Sequence, residues 1–415
     1  MNDSITIIGG GLGGLTAAMF LADTGAKVTI LEQGHTYIER SANKNEDILL
    51  GLGGAGTLSG GKLCFPPASG GIWKKTSNNL KYFNHFYNRL FSSVNTLITL
   101  PRANNIPISD ELIHKTYRSE VILKDAMHGL VNDLLQKLTC NGVQIRCNCR
   151  VDYLKRNCDD YQVFFCNEAN ETEWLSSDYV LIATGRTSTP LLNRLFGSSK
   201  HHQPDLGLRL SMDTKQPAFS IIGEDVKLKR RIDDCLVRTF CVCCGGDSVQ
   251  SSIRGNIHYD GHFCDDLTGI TNLGIVARSP RYAGPGIADC YLGAMQKYIK
   301  ANMTLKDFIK YHDLLSKGSV FNPLFAALTE FILDLYQTGL IVQNPDEIQV
   351  MIPAVDNLNP VIPTNSEFET PLPKLYVVGD AAGVSRGFIQ AMWAGRCAAS
   401  RISEELLCVK HPLAI

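Results

Sequence analysis

Three cysteines, Cys241, Cys243 and Cys244, stand close together in the stretch CVCC. Cys241 and Cys244 have C-x-x-C spacing, which in a reactive setting can pass electrons to a disulfide. The surrounding sequence is typical of a strand rather than of the start of a helix. Cysteine also packs as a small buried hydrophobic residue. The pattern leaves open a redox dithiol or packing in a core or site wall. A metal site is the least supported reading, because no second Cys/His pair follows at zinc-finger spacing.

Other side chains could do acid–base or anion-binding chemistry. His258 and His262 lie in NIHYDGHFC and could exchange a proton near neutral pH, although histidines in a loop are also commonly structural or exposed. Lys62 could meet a phosphate or a substrate anion, or it could be solvated. Arg278 and Arg281 in RSPRYAGPG could bind a carboxylate through bidentate hydrogen bonds, or they could lie at the surface.

A glycine-rich run near the start of the chain, IIGGGLGGL, indicates what cofactor would accompany them. It contains G-x-G-x-x-G, follows a short β-branched strand and opens a helix predicted over residues 12–23. A second strand follows, and Glu32 stands at its end, about 20 residues after the glycines, as dinucleotide-binding units require. The predicted cofactor contacts here are Gly9, Gly11, Leu12, Gly13, Gly14, Glu32 and Gln33.

Each part of this unit has a physical task. The glycines permit a tight turn, a close approach to a pyrophosphate, and close packing of helix on strand. The phosphates would sit at the helix N-terminus, where free N–H groups favour negative charge. Glu32 can accept hydrogen bonds from a ribose diol and disfavours a 2′-phosphate. The alternative, a glycine-rich turn in some other α/β protein, explains fewer of these features.

Two distant segments indicate FAD rather than NAD. In LYVVGDAAGVSRGFIQAM a strand over residues 375–378 is followed by Gly379-Asp380, a loop and a helix; in DYVLIATGR a strand leads into Ala183-Thr184-Gly185. Both resemble motifs of FAD-dependent oxidoreductases of the glutathione-reductase-like superfamily. The resemblance implies that Asp380 holds a ribityl hydroxyl and that Gly379, Ala183, Thr184 and Gly185 pass near FAD. It also implies that the backbone of Gly387, Phe388 and Ile389 meets the flavin and that of Val151 the adenine.

A second glycine-rich run, GLGGAGTLSGGKL, resembles the pattern GxGGAGTxSxGKL of a largely uncharacterised family of bacterial FAD-dependent dehydrogenases. RTFCVCCGG similarly resembles that family's RTFCxCxGG, although the family often has proline at the position of Cys244. The resemblance implies that residues 53–59 wrap the flavin. The predicted contacts are Gly54, Ala55, Gly56 and Thr57, with Arg40 in YIERS as a further candidate for the pyrophosphate.

Composition narrows the class of protein. The 415 residues carry a net charge of −1, with 44% hydrophobic and 20% charged residues, a balance that argues against nucleic-acid binding. No apolar run reaches the roughly 18 residues of a membrane span. The opening MNDSITIIGGG lacks the basic and apolar regions of a signal peptide. We therefore expect a cytoplasmic protein with reduced cysteines, no membrane or nucleic-acid partner, and a small-molecule substrate.

The predicted fold class is α/β, a Rossmann-like FAD-binding domain with an inserted mixed α+β domain. The FAD-binding domain is expected from residues 1–65, 115–190 and 365–415, a helical insertion from 66–114, and a substrate-binding or lid domain from 191–364. Residues 121–142 read as an amphipathic helix, and 286–301, 304–316 and 322–337 as further helices.

The predicted function is that of an FAD-dependent oxidoreductase moving a hydride between flavin N5 and a C–C or C–N bond of a small metabolite. The catalytic candidates are Cys241, Cys243, His258 and Lys62, and no metal is expected. Two alternatives stay open: a thiol/disulfide oxidoreductase using Cys241 and Cys244, and a non-catalytic binding module. The absence of a second G-x-G-x-x-G argues against a dedicated NAD(P)H domain. The sequence assigns neither an electron donor or acceptor nor an oligomeric state.

Overall fold

The computed structural model describes residues 3–58, 61–68, 71–92, 94, 97–99, 111–115, 117–187, 189–197, 203–213, 227–262, 268–284, 286–299, 301–315, 319–358 and 361–410. The described helices are α1 Leu12–Ala22, α2 Gly71–Lys75, α3 Phe83–Phe91, α4 Lys124–Cys140, α5 Thr189–Phe196, α6 Ile287–Met295, α7 Leu305–Leu315, α8 Asn322–Gln337 and α9 Phe388–Lys410.

The described strands alternate with these helices and form several sheets. They are β1 Ser4–Ile8, β2 Lys27–Leu31, β3 Gly61–Cys64, β4 Leu97–Thr99, β5 Ile113–Lys115, β6 Ser119–Ile122, β7 Gln144–Arg146, β8 Arg150–Arg156, β9 Tyr161–Cys166, β10 Thr172–Ser177, β11 Tyr179–Ile182, β12 Asp205–Asp213, β13 Lys227–Ile232, β14 Cys235–Cys244, β15 Asp247–Ile253, β16 Asn256–His262, β17 Ile270–Arg278, β18 Met303–Thr304, β19 Gln349–Asp356 and β20 Leu375–Val377.

A five-stranded parallel sheet forms the nucleotide-binding part, in the order β20-β11-β1-β2-β7. Its inner strands are buried runs of aliphatic residues, because helices cover both faces of such a sheet. Helices α1 and α9 cross in backbone contact: a Cβ added to Gly395 would overlap the carbonyl oxygen of Gly13. This contact brings the N-terminal part of α9 beside that of α1.

A seven-stranded antiparallel sheet forms the second part, in the order β18-β19-β12-β17-β14-β13-β5. Helices α6, α7 and α8 pack on it through a buried cluster that includes Leu208, Ile275, Phe325 and Phe331. Strands β15 and β16 form a separate hairpin, and two three-stranded sheets, β10-β9-β8 and β3-β6-β4, complete the described sheets. The predicted fold class, a Rossmann-like domain with a mixed α+β part, is confirmed.

Several local expectations need correction. The helix predicted over residues 121–142 starts at Lys124, since Val121 and Ile122 pair with β3 in the sheet. The stretch around His258, expected as a loop, is strand β16. Residues 66–114 were expected as a helical insertion. In the structure, Trp73 and Phe86 pack in the same core as the parallel sheet, and strand β5 belongs to the seven-stranded sheet.

Among the described helices, none is both long enough and apolar enough to cross a membrane.

Candidate functional site

A deep pocket lies where β1, β2, β11 and β20 end. The volume of the pocket, including the solvent space at its mouth, is about 1380 Å³. The predicted cofactor residues that line it are Gly9, Gly11, Leu12, Gly13, Glu32, Gln33, Gly54, Ala55, Val151, Ala183, Thr184, Gly185, Gly379, Asp380, Gly387 and Phe388. Segments that are far apart in the sequence therefore meet in one cavity.

The N-terminus of α1 faces this pocket without a side chain to cap it. Its N-cap residue, Gly11, offers no side-chain acceptor, and the first turn contains no acidic residue. The free N–H groups at this end suit an anion. Space is tight around the turn, because a Cβ on Gly9 would lie 2.6 Å from the carbonyl oxygen of Ala183, and one on Gly14 would overlap the carbonyl of Gly9.

The two glycine-rich runs touch each other. Gly53 donates from its N–H to the carbonyl oxygen of Gly10 at 2.8 Å and forms an isolated parallel bridge with Gly11. A Cβ on Gly54, whose φ is +79°, would lie 2.8 Å from the Cα of Gly11. The second run therefore forms a wall of the pocket directly against the first.

The same run also approaches the start of α9. A Cβ on Gly56 would lie 2.5 Å from Cζ of Phe388, and one on Gly61 would overlap the same ring. Gly387, just before α9, has a φ of +113°. The second glycine-rich run thus fills the space between two helix N-termini, which is why it tolerates so few side chains.

Glu32 links both runs through its buried carboxylate. Its Oε2 accepts from the N–H of Gly10 at 2.7 Å, and its Oε1 accepts from those of Gly34 at 2.9 Å and Gly51 at 3.1 Å. A carboxylate has about four acceptor sites, so capacity remains on the side that lines the pocket.

Arg40 lies beneath the second run rather than on the pocket wall. Its guanidinium donates to the carbonyl oxygens of Asp47, Leu52 and Gly54 and to Oγ1 of Thr57. Burial lowers its pKa. These hydrogen bonds stabilise the loop. Arg40 therefore lies behind the second run, whereas the sequence suggested that it would contact the pyrophosphate.

Four more predicted contacts lie off the wall of this pocket. Thr57 is buried and donates to the carbonyl of Gly54 at 2.9 Å, and Ile389 is a fully buried core residue. Gly14 supports the turn from behind, and Gly56 lines a neighbouring chamber.

A second chamber adjoins the first pocket and shares part of its wall. The shared residues are Leu49, Ala55, Arg186, Asp380, Gly387 and Phe388. Its other walls include strands β5, β13 and β14 and the end of β16. Two cavities meeting at a helix N-terminus can hold a cofactor in one and a substrate in the other.

Asp380 and Arg186 stand at the junction of the two cavities. Burial raises the pKa of Asp380 to about 6, with the charge of Asp356 adding to the rise and that of Arg186 opposing it. Arg186 Nη1 lies 3.7 Å from Oδ1 of Asp260. Sequence analysis missed Arg186, although a cation directly after Ala183-Thr184-Gly185 was a visible signal.

The cysteine stretch is a bulged strand. The pairing of β14 with β17 shifts between Phe240 and Cys243, and Cys241 has a φ of +45°. Sγ of Cys241 lies 3.7 Å from Sγ of Cys243. The hydrogen bond with Cys241, together with burial, raises the pKa of Cys243 well above its usual range. The structure thus brings Cys241 beside Cys243, whereas Cys244 packs against the second core.

His258 and Lys62 occupy different settings. His258 is fully buried behind the chamber, with Nε2 2.9 Å from Oγ of Ser251, and burial lowers its pKa. Lys62 lines the second chamber and donates to the carbonyl oxygen of Val242 at 3.0 Å. Of the two neighbouring histidines, His262 is the one on the chamber wall.

Comparison with known proteins supports the fold. A family described as an NAD(P)-binding Rossmann-like domain matches residues 7–43, which include the first glycine-rich run and Glu32. No curated protein matches the chain.

Similar solved structures include a Diels-Alderase from the biosynthetic pathway of pyrroindomycins. It has 13% identity and a TM-score of 0.45, over 98% of this chain and 66% of that one, so this chain spans just under two thirds of its length. The p-nitrophenol 4-monooxygenase of Pseudomonas putida DLL-E4 has 13% identity and a TM-score of 0.44, over 98% and 80%. A flavoprotein/dehydrogenase from Cytophaga hutchinsonii has 12% identity and a TM-score of 0.45, over 98% and 79%. The matched segment and the parallel sheet around it form a Rossmann-like dinucleotide-binding domain.

Proposed function

We propose that this chain is an FAD-dependent oxidoreductase of the glutathione-reductase-like superfamily. It would act as a dehydrogenase or reductase on a C–C or C–N bond of a small metabolite. The observation that carries the proposal is the joining of two cavities at the start of α9. One is walled by both glycine-rich runs, and the other is walled by the second sheet.

The residues present fit FAD along the length of the first pocket. Glu32 has acceptor capacity for the ribose diol, and the uncapped start of α1 suits the pyrophosphate. Val151 and Asp380 both line this pocket, and we assign Val151 to the adenine and Asp380 to the ribityl chain. Glycines at positions 9, 11 and 54 leave space for the cofactor, whereas an added Cβ at these positions would contact neighbouring backbone.

FAD supplies the hydride chemistry, and the protein supplies position and charge. Gly387 and Phe388, at the start of α9, line both cavities, and a helix N-terminus there would favour negative charge. Asp380 and Arg186 line both cavities and would orient polar groups of the bound molecules there. The seven-stranded sheet lines the second chamber and would hold a substrate against this junction.

The visible absorption spectrum of the purified protein tests the proposal first. We expect an oxidised-flavin spectrum, with the colour released by denaturation and identified as FAD in the filtrate. NADH and NADPH are then added without oxygen to find the electron donor, and bleaching by either would indicate a reductase. A colourless protein that fails to take up added FAD but binds NAD⁺ would reject the proposal.

A thiol/disulfide oxidoreductase is the second candidate, because Cys241 lies 3.7 Å from Cys243 and lines the second chamber. The raised pKa of Cys243 opposes it, since the thiolate is the reactive form. A protein whose bound FAD resists reduction even by dithionite would instead favour a binding module.

A further inference from the structure

We propose that His262 is the acid–base residue of the second chamber, the group that exchanges a proton with the substrate when a hydride passes between substrate and flavin. The inference rests on the proposed function and deepens it, because it names the proton partner of that same reaction. Its basis is the placement of His262 on the chamber wall, in line with Asp260, which pairs with Arg186 at the junction of the two cavities.

A hydride transfer of this kind also needs a proton acceptor. When a C–C or C–N bond is oxidised, a C–H bond breaks and its electron pair leaves with the hydrogen to oxidised FAD. The C–H or N–H bond on the neighbouring atom breaks as well. Its electron pair forms the new double bond, and its proton passes to a base. Reduction runs through the same steps in reverse, so a side chain whose pKa lies near the working pH suits both directions.

Strand β16 carries titratable side chains at every second position: His258, Asp260 and His262. Residues two apart on a strand share a face, so these three form a row. Oγ of Ser251 lies 2.9 Å from Nε2 of His258 and donates to Oδ2 of Asp260 at 2.9 Å, which supports this alignment. The row begins at the fully buried His258 and ends at His262 on the chamber wall. His262, rather than His258, is therefore placed to meet a molecule in the chamber.

The surroundings of His262 favour its neutral imidazole form. Burial lowers the pKa of His262, and the carboxylate of Asp260 opposes this fall. The guanidinium of the fully buried Arg209 lowers the pKa further, while Asp247, the partner of His262 on β15, raises it. A neutral imidazole has one nitrogen that accepts a proton and one that carries a proton, as an acid–base residue requires.

Asp260 can stabilise the cation that His262 becomes when it accepts a proton. Burial by itself would raise the pKa of Asp260, but interactions with His258 and Arg186 and the hydrogen bond from Ser251 lower it to about 2. Asp260 is therefore a carboxylate at neutral pH and a weak base. A fixed negative charge in the same row favours the imidazolium form of His262.

Two other carboxylates on the chamber wall are held as ions by arginines. Asp205 accepts hydrogen bonds from Arg238 and Arg278, each at 2.8 Å. At Asp356 burial would raise the pKa, but the charges of Arg386 and Arg238 outweigh it and hold the pKa well below its usual range. Carboxylates bound in this way are poor proton acceptors, whereas an imidazole accepts a proton near neutral pH.

Chemical modification of the FAD-bound full chain tests the position and protonation state of His262. Diethyl pyrocarbonate acylates neutral imidazoles that solvent reaches, and mass spectrometry of the peptides identifies them. We expect His262 to react at least about tenfold faster than His258, whose complete burial requires local opening before the reagent enters. The rate at His262 should fall as the pH drops through its lowered pKa. A His262 as unreactive as His258 would overturn the inference.

The midpoint potential of bound FAD tests the proton-transfer role. Reduced flavin carries negative charge, which raises the pKa of a nearby imidazole, so reduction should bring one further proton on to His262. Across about pH 5.5 to 8, we expect the potential to fall more steeply with pH in the parent than in His262→Gln, by one proton per two electrons. His85→Gln, at an exposed position on α3 that lines neither cavity, should behave like the parent.

The outcomes separate this inference from the proposed function. A chain that takes up no FAD rejects the proposed oxidoreductase, whatever the reactivity of His262. Equal pH dependence in the parent and His262→Gln, with FAD bound to both, rejects this inference alone and assigns the proton to another group, such as Asp380. His262→Asn is the second variant if His262→Gln loses FAD, and loss of FAD from both would show a structural role and overturn the inference.

Discussion

At Gly54 the chain has no room for even one additional carbon atom. Its φ is +79°, and a Cβ there would lie 2.8 Å from the Cα of Gly11. Gly25 provides a useful contrast, because its φ of +75° is similar but an added Cβ would meet nothing within 4 Å. Comparing alanine substitutions at the two positions therefore distinguishes the effect of left-handed backbone strain from that of a steric clash with a neighbouring segment.

We expect Gly54→Ala to weaken FAD binding at least tenfold, because the second glycine-rich run must retreat from Gly11. Gly25→Ala should cost about 1 kcal/mol of unfolding free energy through left-handed strain and leave FAD binding unchanged. Fluorescence titration with FAD and urea unfolding measure the two effects. Equal FAD affinity in both variants would contradict the close contact of the two runs.

Asp380 should give a pH-dependent stability. Its pKa is raised from 3.8 to about 6 by burial, so between these values the folded state binds more protons than the unfolded state. The free energy of unfolding of the flavin-free protein therefore falls as pH rises through this window.

Asp380→Asn should remove that fall. We expect the flavin-free variant to be more stable than the parent by about 3 kcal/mol at pH 7.5 and to match it near pH 4, in urea unfolding at both pH values. Its FAD affinity should nevertheless drop roughly tenfold, because the carboxylate acceptor is lost. Asp159→Asn, at an exposed turn, is the control. A variant that is less stable at pH 7.5 would show that Asp380 is a structural anchor.

At the scale of elements, strand β14 carries a bulge where its sequence has CVCC. The bulge turns Cys241 towards the chamber and leaves Cys243 buried with a raised pKa. A burial-protected thiol is a poor nucleophile, so proximity of the sulfur atoms is compatible with a purely structural role.

We expect Cys241 and Cys243 to remain thiols in the oxidised FAD-bound protein. Alkylation after anaerobic denaturation, followed by mass spectrometry of the peptide, should find both modified, with exposed Cys140 as the internal control. A peptide two hydrogens lighter and resistant to alkylation would reveal a disulfide and revive the thiol mechanism.

At the scale of the whole molecule, the cofactor pocket joins segments that are remote in sequence. Gly9, Val151, Ala183 and Gly379 all line it. A ligand that bridges such segments binds only the folded chain, so its binding energy adds to stability.

FAD should therefore stabilise the flavin-free protein. At a free concentration of 100 times its dissociation constant, the expected gain is about 2.7 kcal/mol in the free energy of unfolding. Thermal unfolding at graded FAD concentrations measures it, with NAD⁺ at the same concentrations as the comparison ligand. An equal or larger shift with NAD⁺ would argue for a nicotinamide cofactor in this pocket.

The sequence by itself determined the nucleotide-binding unit around β1, α1 and β2. Its signals are local: a buried strand, a glycine turn, a helix and Glu32 all lie within some thirty residues, and short-range sterics and helix geometry fix their arrangement. The helices of the second part were also recognisable from their apolar spacing, with boundaries off by a few residues.

Only the tertiary structure decided how the remaining residues are used. Arg40 stabilises the second glycine-rich run, because carbonyl oxygens of that run lie around its guanidinium group and accept hydrogen bonds from it. Arg186, Lys115 and Lys227 line one chamber because strands distant in sequence pair side by side. Such placements depend on long-range packing, and no local pattern of residue types encodes which buried charges will face each other across a cavity.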